Sequence, residues 1–217
     1  FMIEHIQDAY KILTKIYKDK TYSTQALFSD DISPLSSRIV LGVLEKDIYI
    51  EYVLECLIKK NPKDNIMLIL KIGTYMLTFL DNIPNYAIVN ECVNFTKSLG
   101  KKGVSSFVNA VLKMVSTKQY ELPKQGDQNY YSVFYSKPQW FIDRLIDEYG
   151  EEDTIKMLNA SLEVYDYEHI RFDPKKDKSL TIKSLQEQGT IIRETNVHGF
   201  VVQNNEIIKE MFKGGEL

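Results

Sequence analysis

The sequence has few of the residues that form disulfide bonds and metal sites. Its 217 residues include two cysteines and three histidines. Cys56 and Cys92 are too few for a disulfide framework and stand in helical patterns, which predicts two buried thiols in a reduced compartment. His5, His169 and His198 are scattered along the chain, so the sequence predicts no metal site.

Membrane segments and phosphate-binding loops are also lacking. No apolar run reaches the roughly eighteen residues that cross a membrane, and no signal peptide is visible, so we expect a cytoplasmic protein without membrane contact. The nearest approach to a glycine-rich loop, Gly100 to Gly103, does not follow a strand pattern, which argues against nucleotide binding there. The acidic run Glu151 to Asp153 is explained by stabilisation of the helix that it opens. The sequence therefore predicts no catalytic residue and no cofactor site in this chain.

Positive charge is unevenly distributed in a chain whose net charge is −3. Residues 97–118 contain five lysines and no acid, whereas the segments on either side carry more acids than bases. An acidic protein does not coat nucleic acid indiscriminately, so any RNA contact must come from a local basic surface. The lysines of this segment are Lys97, Lys101, Lys102, Lys113 and Lys118.

The first half of the chain has the hydrophobic periodicity of α-helices. Apolar residues recur at every third or fourth position over residues 3–17. Ser33 followed by Pro34 is typical of an N-cap and a first helical position. The stretch 64–80 is apolar nearly all round, which predicts a central helix surrounded by the others. Two further helices are predicted at 88–99 and 104–115.

The second half begins with a polar, turn-rich stretch at 119–130, which we interpret as a linker. Ser136 is predicted to cap the next helix, with Trp140 on its core side. The period then changes to that of strands, predicted at 168–172, 191–193 and 200–202, with a helix at 179–188. We therefore predict a mainly α protein in three parts: an all-helical domain at 2–125, a helical connector at 126–163 and a small α+β subdomain at 164–217.

Two stretches of the helical domain resemble a known fold. Residues 83–93 (Ile-Pro-Asn-Tyr-Ala-Ile-Val-Asn-Glu-Cys-Val) and 107–113 (Phe-Val-Asn-Ala-Val-Leu-Lys) resemble the paired helices of the NusB-type RNA-binding fold. This fold occurs in a transcription antitermination factor and in the N-terminal region of bacterial small-subunit rRNA methyltransferase B. The resemblance implies a NusB-like helical bundle.

The second half separates these two relatives. Residues 136–140, 149–152 and 169–173 resemble the region after the NusB-like domain in the Sun/Fmu family of 16S rRNA cytosine-C5 methyltransferases. The antitermination factor ends before this point. The resemblance extends over residues 2–217 and implies that the α+β subdomain is of the ferredoxin or RNA-recognition-motif (RRM) type.

The resemblance implies that this chain is the RNA-binding portion of an S-adenosylmethionine-dependent methyltransferase. Residues 214–217 stand where that family's chain enters its S-adenosylmethionine-binding domain, so we expect this chain to lack the catalytic domain and to be inactive alone. The family's reaction uses a cysteine thiolate, and neither Cys56 nor Cys92 has the sequence setting of that site. The expected partner is small-subunit ribosomal RNA, and self-association through exposed apolar helix faces is a further expectation.

Two groups of basic residues are candidates for RNA contact. The five lysines of residues 97–118 concentrate charge around one inter-helix loop and the helix after it, which suits phosphate binding; a solvated lysine face is the alternative. Asn90 and Asn109 are interpreted as structural, satisfying backbone groups between the two helices; hydrogen bonds to RNA from Ser105, Ser106 and Asn109 are the alternative. The second group is Arg171, Lys175 and Lys176, at a strand end where a guanidinium can bridge phosphates; an ordinary surface charge cluster is the alternative.

The sequence leaves three functions open. The chain recruits rRNA for a catalytic domain, or it is a protein-interaction module of the antitermination kind, or it braces the catalytic domain. Residues 130–217 disfavour the second of these.

Overall fold

The structure is a computed structural model that describes residues 2–20, 22–23, 26, 32–162, 167–172, 177–195, 199–203 and 206–213. The chain divides into two units, one ending at Thr154 and the other beginning at Ile155. This division falls inside a helix, whereas the sequence analysis placed boundaries at residues 125 and 163. The three-part division therefore stays a prediction.

The first unit is built from helices, as the sequence predicts. They are α1 (Met2–Asp19), α2 (Pro34–Glu45), α3 (Asp47–Leu57), α4 (Asp64–Phe79), α5 (Asn85–Ser98), α6 (Ser105–Ser116), α7 (Tyr130–Tyr135), α8 (Gln139–Tyr149) and α9 (Glu151–Ala160), the last of which crosses into the second unit. A 3-10 turn at Lys102–Val104 precedes α6.

Helix α4 is the centre of the helical core. Every residue from Leu68 to Met76 is buried, and the helix packs against α1, α2, α3, α5 and α6. A helix that is apolar on all sides must be surrounded to remove its surface from water. Gly73 permits the close approach of α6, because a Cβ atom there would lie 2.8 Å from a methyl group of Leu112. The predicted central helix is confirmed.

Two serines predicted as helix caps have different outcomes. Ser33 caps α2 as predicted: its Oγ accepts a hydrogen bond from the backbone N–H of Ser36 at 3.1 Å. Ser136 does not cap the following helix. It ends α7 instead, in the left-handed region at φ 52°, and its Oγ accepts a hydrogen bond from the backbone N–H of Tyr49 at 3.3 Å. The prediction for Ser136 is therefore wrong, because the serine serves a contact between α3 and the end of α7.

Helix α7 is not indicated by the sequence pattern and begins at the last residue of the predicted linker 119–130. Its rings stack along the helix: Tyr130 with Phe134 at 5.7 Å and Tyr131 with Tyr135 at 6.3 Å between centroids. Aromatic stacking and packing on α3 stabilise a helix of six residues that would be marginal alone.

The second unit is a small α+β fold, which confirms the predicted class. Its elements are β1 (Tyr167–Arg171), α10 (Ser179–Glu187), β2 (Ile191–Glu194), β3 (Gly199–Gln203) and α11 (Glu206–Lys213). The strands form one antiparallel sheet in the order β1-β3-β2. The succession β-α-β-β-α is that of the first five elements of a ferredoxin-like unit.

One face of this sheet forms the core of the second unit. Ile170 of β1 and Phe200 and Val202 of β3 pack there with Leu185 of α10 and Ile208 of α11. Each predicted strand lies within one residue of an observed one at both ends, because short runs rich in β-branched and aromatic residues mark the strands. Helix α11 was not part of the prediction.

Candidate nucleic-acid interface

The five lysines of residues 97–118 form two groups on the α5–α6 hairpin. Lys97 is in the last turn of α5, Lys101 follows Gly100, and Lys102 opens the 3-10 turn before α6. We call these three the turn lysines. Lys113 is in the last turn of α6 and Lys118 lies just beyond its end; we call these the distal lysines. Since α6 has 12 residues, it separates the two groups by about 18 Å.

All five lysine side chains are exposed. None of them forms an ion pair with a residue that the structure describes. Glu91, the acid in α5, is half-buried, and α6 has no acid. The ammonium groups are therefore free to neutralise phosphates.

The start of α6 adds positive potential beside the turn lysines. Its first turn has no acidic residue and no side-chain cap. The Oγ of Ser105 donates a hydrogen bond to the carbonyl of Lys102 at 2.8 Å, and no described side chain accepts from the first amides of the helix. Backbone N–H groups at a helix start carry partial positive charge and bind anions. Lys101 and Lys102 stand next to this end of the helix.

Two exposed stripes connect the turn lysines with the distal lysines. On each helix, exposed residues recur at every third or fourth position, which places them on one side of that helix. We call both stripes together with the turn lysines the α5–α6 face. The stripes are Tyr86, Asn90, Asn94 and Lys97 on α5, and Ser106, Ala110, Lys113 and Thr117 on α6 and its C-cap.

A groove of about 480 Å³ lies where the start of α5 meets the end of α6. Tyr86, Asn90, Lys113 and Gln119 are among the residues that line it. Tyr86 is 72% exposed, so its ring is available to a ligand. Aromatic rings stack on unpaired bases, amides hydrogen-bond base edges and ammonium groups bind phosphates. The groove thus brings together an aromatic ring, amides and an ammonium group, which are side chains that can contact an unpaired nucleotide.

The asparagines of this hairpin do not have the structural role predicted for them. Asn90 is exposed and Asn109 is half-buried. Neither side chain forms a hydrogen bond with any residue in the described ranges. Their amides are therefore not used to satisfy backbone groups between the helices, and the amide of Asn90 is exposed on the α5–α6 face.

Trp140 is not a core residue, contrary to the prediction. It is 67% exposed and meets Phe141 edge-on at 5.9 Å between ring centroids. Ile142 occupies the buried side of α8. Two positions along a helix are about 200° apart, so Trp140 and Ile142 point in nearly opposite directions.

The two thiols have different environments. Cys92 is buried as predicted, and burial, with a smaller effect of Glu91, raises its pKa to about 12. Cys56 is exposed on α3, so its predicted burial is wrong. Across the described ranges, no group of histidine, cysteine and carboxylate side chains is arranged to hold a metal ion. No helix in those ranges is long and apolar enough to cross a membrane.

The structure describes one member of the second predicted group of basic residues. Arg171 is the last residue of β1, as predicted, and its side chain is exposed. Lys175 and Lys176 lie outside the described residues. RNA contact by this group stays a prediction.

Residues 4–117 match the NusB family, a range that runs from α1 to the end of α6. The chain belongs to the NusB family. The α5–α6 face is therefore part of its NusB domain, and the predicted family membership is confirmed.

Two relatives that are not antitermination factors match this chain over more than the NusB domain. The probable ribosomal RNA small subunit methyltransferase B of Synechocystis sp. (strain ATCC 27184 / PCC 6803 / Kazusa) is 30% identical over 206 residues, covering 86% of this chain and 45% of that protein. The protein of the same name from Bacillus subtilis (strain 168) is 28% identical over 168 residues, covering 71% of this chain and 37% of that protein. The chain thus spans less than half the length of these relatives and is similar to them over most of its own.

Two further likenesses concern the NusB domain and the fold. The transcription antitermination protein NusB of Geobacillus kaustophilus (strain HTA426) is 30% identical over 89 residues, covering 39% of this chain and 68% of that protein. The crystal structure of PH0851 matches 99% of this chain and 51% of that chain with a TM-score of 0.63. At 18% identity this match shows the shared fold alone.

Proposed function

We propose that this chain is the RNA-binding portion of a small-subunit rRNA cytosine-C5 methyltransferase. The observation that carries the proposal is the α5–α6 face, where exposed lysines without ion-pair partners among the described residues flank stripes that contain no acid. The relatives named ribosomal RNA small subunit methyltransferase B support small-subunit rRNA as the ligand.

In this proposal the turn lysines and the amides at the start of α6 bind backbone phosphates. Such contacts position RNA without reading its sequence. At the other end of the face, the ring of Tyr86 stacks on an unpaired base while Asn90 hydrogen-bonds its edge and Lys113 binds the adjoining phosphate. The spacing of the two groups requires an RNA segment with phosphates at one end and an unpaired nucleotide about 18 Å away.

The chain supplies binding and orientation in this proposal, and the methyl transfer belongs to the rest of the protein. Cys92 cannot serve as the nucleophile, because a buried thiol with a raised pKa stays protonated at neutral pH. S-adenosylmethionine, which the family implies, does not fit the described sheet. The sheet is antiparallel and lacks the strand–glycine turn–helix crevice in which nucleotide-like cofactors bind.

A protein-interaction module of the antitermination kind is the second candidate. The match to the Geobacillus protein favours it, but that match covers 39% of this chain, whereas the Synechocystis methyltransferase match covers 86%. The longer match favours the rRNA-binding function.

Binding of the 217-residue chain to overlapping small-subunit rRNA fragments tests the proposal, with an unrelated hairpin of equal length as the control. We expect one fragment to bind at least about tenfold more tightly than the hairpin, with an affinity that falls steeply as salt is raised. Equal, weak binding to every RNA overturns the proposal. In that case, joining this chain to the catalytic domain would raise its stability without changing its rRNA affinity, as expected for a brace.

A further inference from the structure

A cavity of about 380 Å³ lies between the first and the central helices of the NusB domain. The residues that line it belong to α1, α3, α4 and the segment that joins α3 to α4. A cavity of this size is in the range that small molecules occupy. It is separate from the groove at the end of α6, whose lining residues belong to other elements.

The buried part of the cavity lining is apolar, and two tyrosines lie beside it. Leu54 and Leu68 are buried in the helical core, and Met67 is half-buried. Tyr10 and Tyr17 line the cavity from α1. The methylene groups of a ligand can pack against the leucines, and an ammonium group can lie over a tyrosine ring.

One ammonium group of the protein itself is already bound at this cavity. Lys71, a buried residue of the lining, directs its Nζ to the carboxylates of Asp47 and Glu51. The same Nζ lies 5.2 Å from the centroid of the Tyr17 ring. The hydroxyl of Tyr17 donates a hydrogen bond to Oδ1 of Asp47 at 3.1 Å. Carboxylates and an aromatic ring thus stabilise one alkyl-ammonium group here.

Two carboxylates of the lining have no counter-ion of this kind. Glu55 and Asp64 are exposed, and neither forms an ion pair with a residue that the structure describes. Glu55 lies four residues after Glu51 and in the last turn of α3. Both features are unfavourable for its charge, because like charges repel at this spacing and the end of a helix carries partial negative charge. An external cation would relieve both.

The negative charge around the cavity is spread out. With Asp47 included, four carboxylates and the two ammonium groups of Lys18 and Lys71 surround it. In the described ranges no histidine, cysteine and carboxylate side chains lie close enough together to hold a metal ion, which requires several ligands around one point. An extended cation with several positive groups is a better match, because it can reach separate carboxylates.

We propose that this cavity binds a linear polyamine. The ammonium groups of the ligand pair with Glu55 and Asp64, and its methylene chain packs on Leu54 and Leu68. The tyrosines of α1 stabilise the positive charge between them. A lysine side chain of a partner protein shares this chemistry but has one positive charge, so it would leave one of the two carboxylates unpaired. The site goes beyond the proposed rRNA-binding function and does not depend on it.

The test is a calorimetric titration of the RNA-free 217-residue chain with spermidine. Glu55→Gln/Asp64→Asn removes the two carboxylates of the cavity. The control, Glu121→Gln/Asp147→Asn, changes two exposed acids elsewhere in the first unit and has the same effect on net charge. We expect at least about a tenfold loss of affinity in the cavity variant and wild-type affinity in the control. Equal affinities of the two variants, or no binding to wild type, overturn the proposal.

Two further measurements test the type of cation and the place where it binds. n-Butylamine, which has one ammonium group, is expected to bind at least about tenfold more weakly than spermidine. Amide chemical shifts in α1, α3 and the first turn of α4 should change when spermidine is added. Equally tight binding of n-butylamine would assign the cavity to single alkyl-ammonium groups, such as lysine side chains of a partner, and overturns the polyamine proposal. Shift changes confined to other elements overturn it as well.

Thermal unfolding separates a ligand site from a structural role. Glu55→Gln is expected to keep or raise the melting temperature of the ligand-free chain, because it removes the repulsion from Glu51. Spermidine should raise the melting temperature of wild type more than that of Glu55→Gln/Asp64→Asn. A ligand-free cavity variant that unfolds at a much lower temperature, with no spermidine effect in wild type, shows that the carboxylates are structural and overturns the proposal. Lys101→Glu/Lys102→Glu should bind spermidine like wild type, so a failure of RNA binding and a failure of polyamine binding are distinguishable.

Discussion

Asn90 and Lys113 line one groove although they belong to different helices, Asn90 to the first half of α5 and Lys113 to the last turn of α6. The hairpin brings the start of one helix to the end of the other. An amide and an ammonium group thereby stand beside the exposed ring of Tyr86. In the proposed function, this arrangement lets one end of the α5–α6 face contact a base as well as a phosphate.

Replacement of Tyr86 by alanine is expected to weaken binding of single-stranded RNA without destabilising the fold. Loss of one stacked base costs about 1–3 kcal/mol, which is roughly a 5- to 150-fold loss of affinity. Tyr86→Phe retains the ring and is expected to bind like wild type. Tyr149→Ala, at another exposed tyrosine, is the matched control. Fluorescence anisotropy that gives equal affinities for Tyr86→Ala and Tyr149→Ala contradicts the assignment.

The native chain is expected to have one reactive thiol. Cys56 is exposed, whereas Cys92 is buried and its pKa is raised to about 12 by burial. Titration with a thiol reagent at pH 8 should modify one cysteine rapidly and the second after unfolding in denaturant, and Cys56→Ser should abolish the rapid phase. Rapid modification of two thiols per native chain would contradict the burial of Cys92 in α5.

Burial of Cys92 also predicts how the stability of the fold changes with pH. Folding raises the pKa of this thiol above the value of about 8.5 in an unfolded chain. The native state therefore holds the proton more tightly, and this contribution to stability is complete below about pH 8.5 and is lost as the pH rises towards 12. Urea unfolding of Cys92→Ala and wild type should show a smaller loss of stability for the variant between pH 8 and pH 10. Parallel losses in the two proteins would falsify the account.

Lys71 is expected to stabilise the packing of α3 on α4. Its Nζ lies 2.7 Å from Oδ1 of Asp47 and 2.6 Å from Oε1 of Glu51. Burial opposes the charge of this ammonium, but hydrogen bonds and charges of the two carboxylates outweigh burial, so the pKa of Lys71 is raised. Removal of the ammonium leaves two carboxylates near each other without a counter-ion.

Lys71→Met is therefore expected to reduce the free energy of unfolding by about 1–3 kcal/mol. Lys11→Met, at an exposed lysine of α1, is the control and should change it little. Urea denaturation measures both. Equal stabilities of the two variants would show that the ion pairs of Lys71 do not hold α3 on α4.

The elements with a strong local pattern could be predicted from the sequence. Residues that are neighbours in the sequence define each of these patterns: the all-round apolar stretch of α4, the Ser33-Pro34 start of α2, and the β-branched and aromatic runs in the strands of the second unit. Helix α7 lacks such a pattern because its stability comes from stacked rings and packing on α3. Trp140 and Cys56 are exposed although their residue types favour burial, since their positions relative to the buried side of each helix decide their environment.

The lysines of the α5–α6 face could be found from the absence of acids in one segment. Tyr86 could not, because the role proposed for it depends on the end of α6 lying beside it. The face of the sheet on which Arg193 lies could not be predicted either. The register of β2 on β3, with an irregularity between Ile191 and Arg193, decides which face it occupies, and register follows from the packed sheet rather than from one strand alone.

Reversal of the charge of Lys101 and Lys102 tests the central claim most directly. Lys101→Glu/Lys102→Glu is compared with Lys59→Glu/Lys60→Glu, an exposed lysine pair between α3 and α4 with the same change in net charge. Titration of labelled small-subunit rRNA should show at least about a tenfold loss of affinity and a shallower salt slope in the first variant, and near wild-type binding in the second. Equal affinities of the two variants would contradict an RNA-binding α5–α6 face.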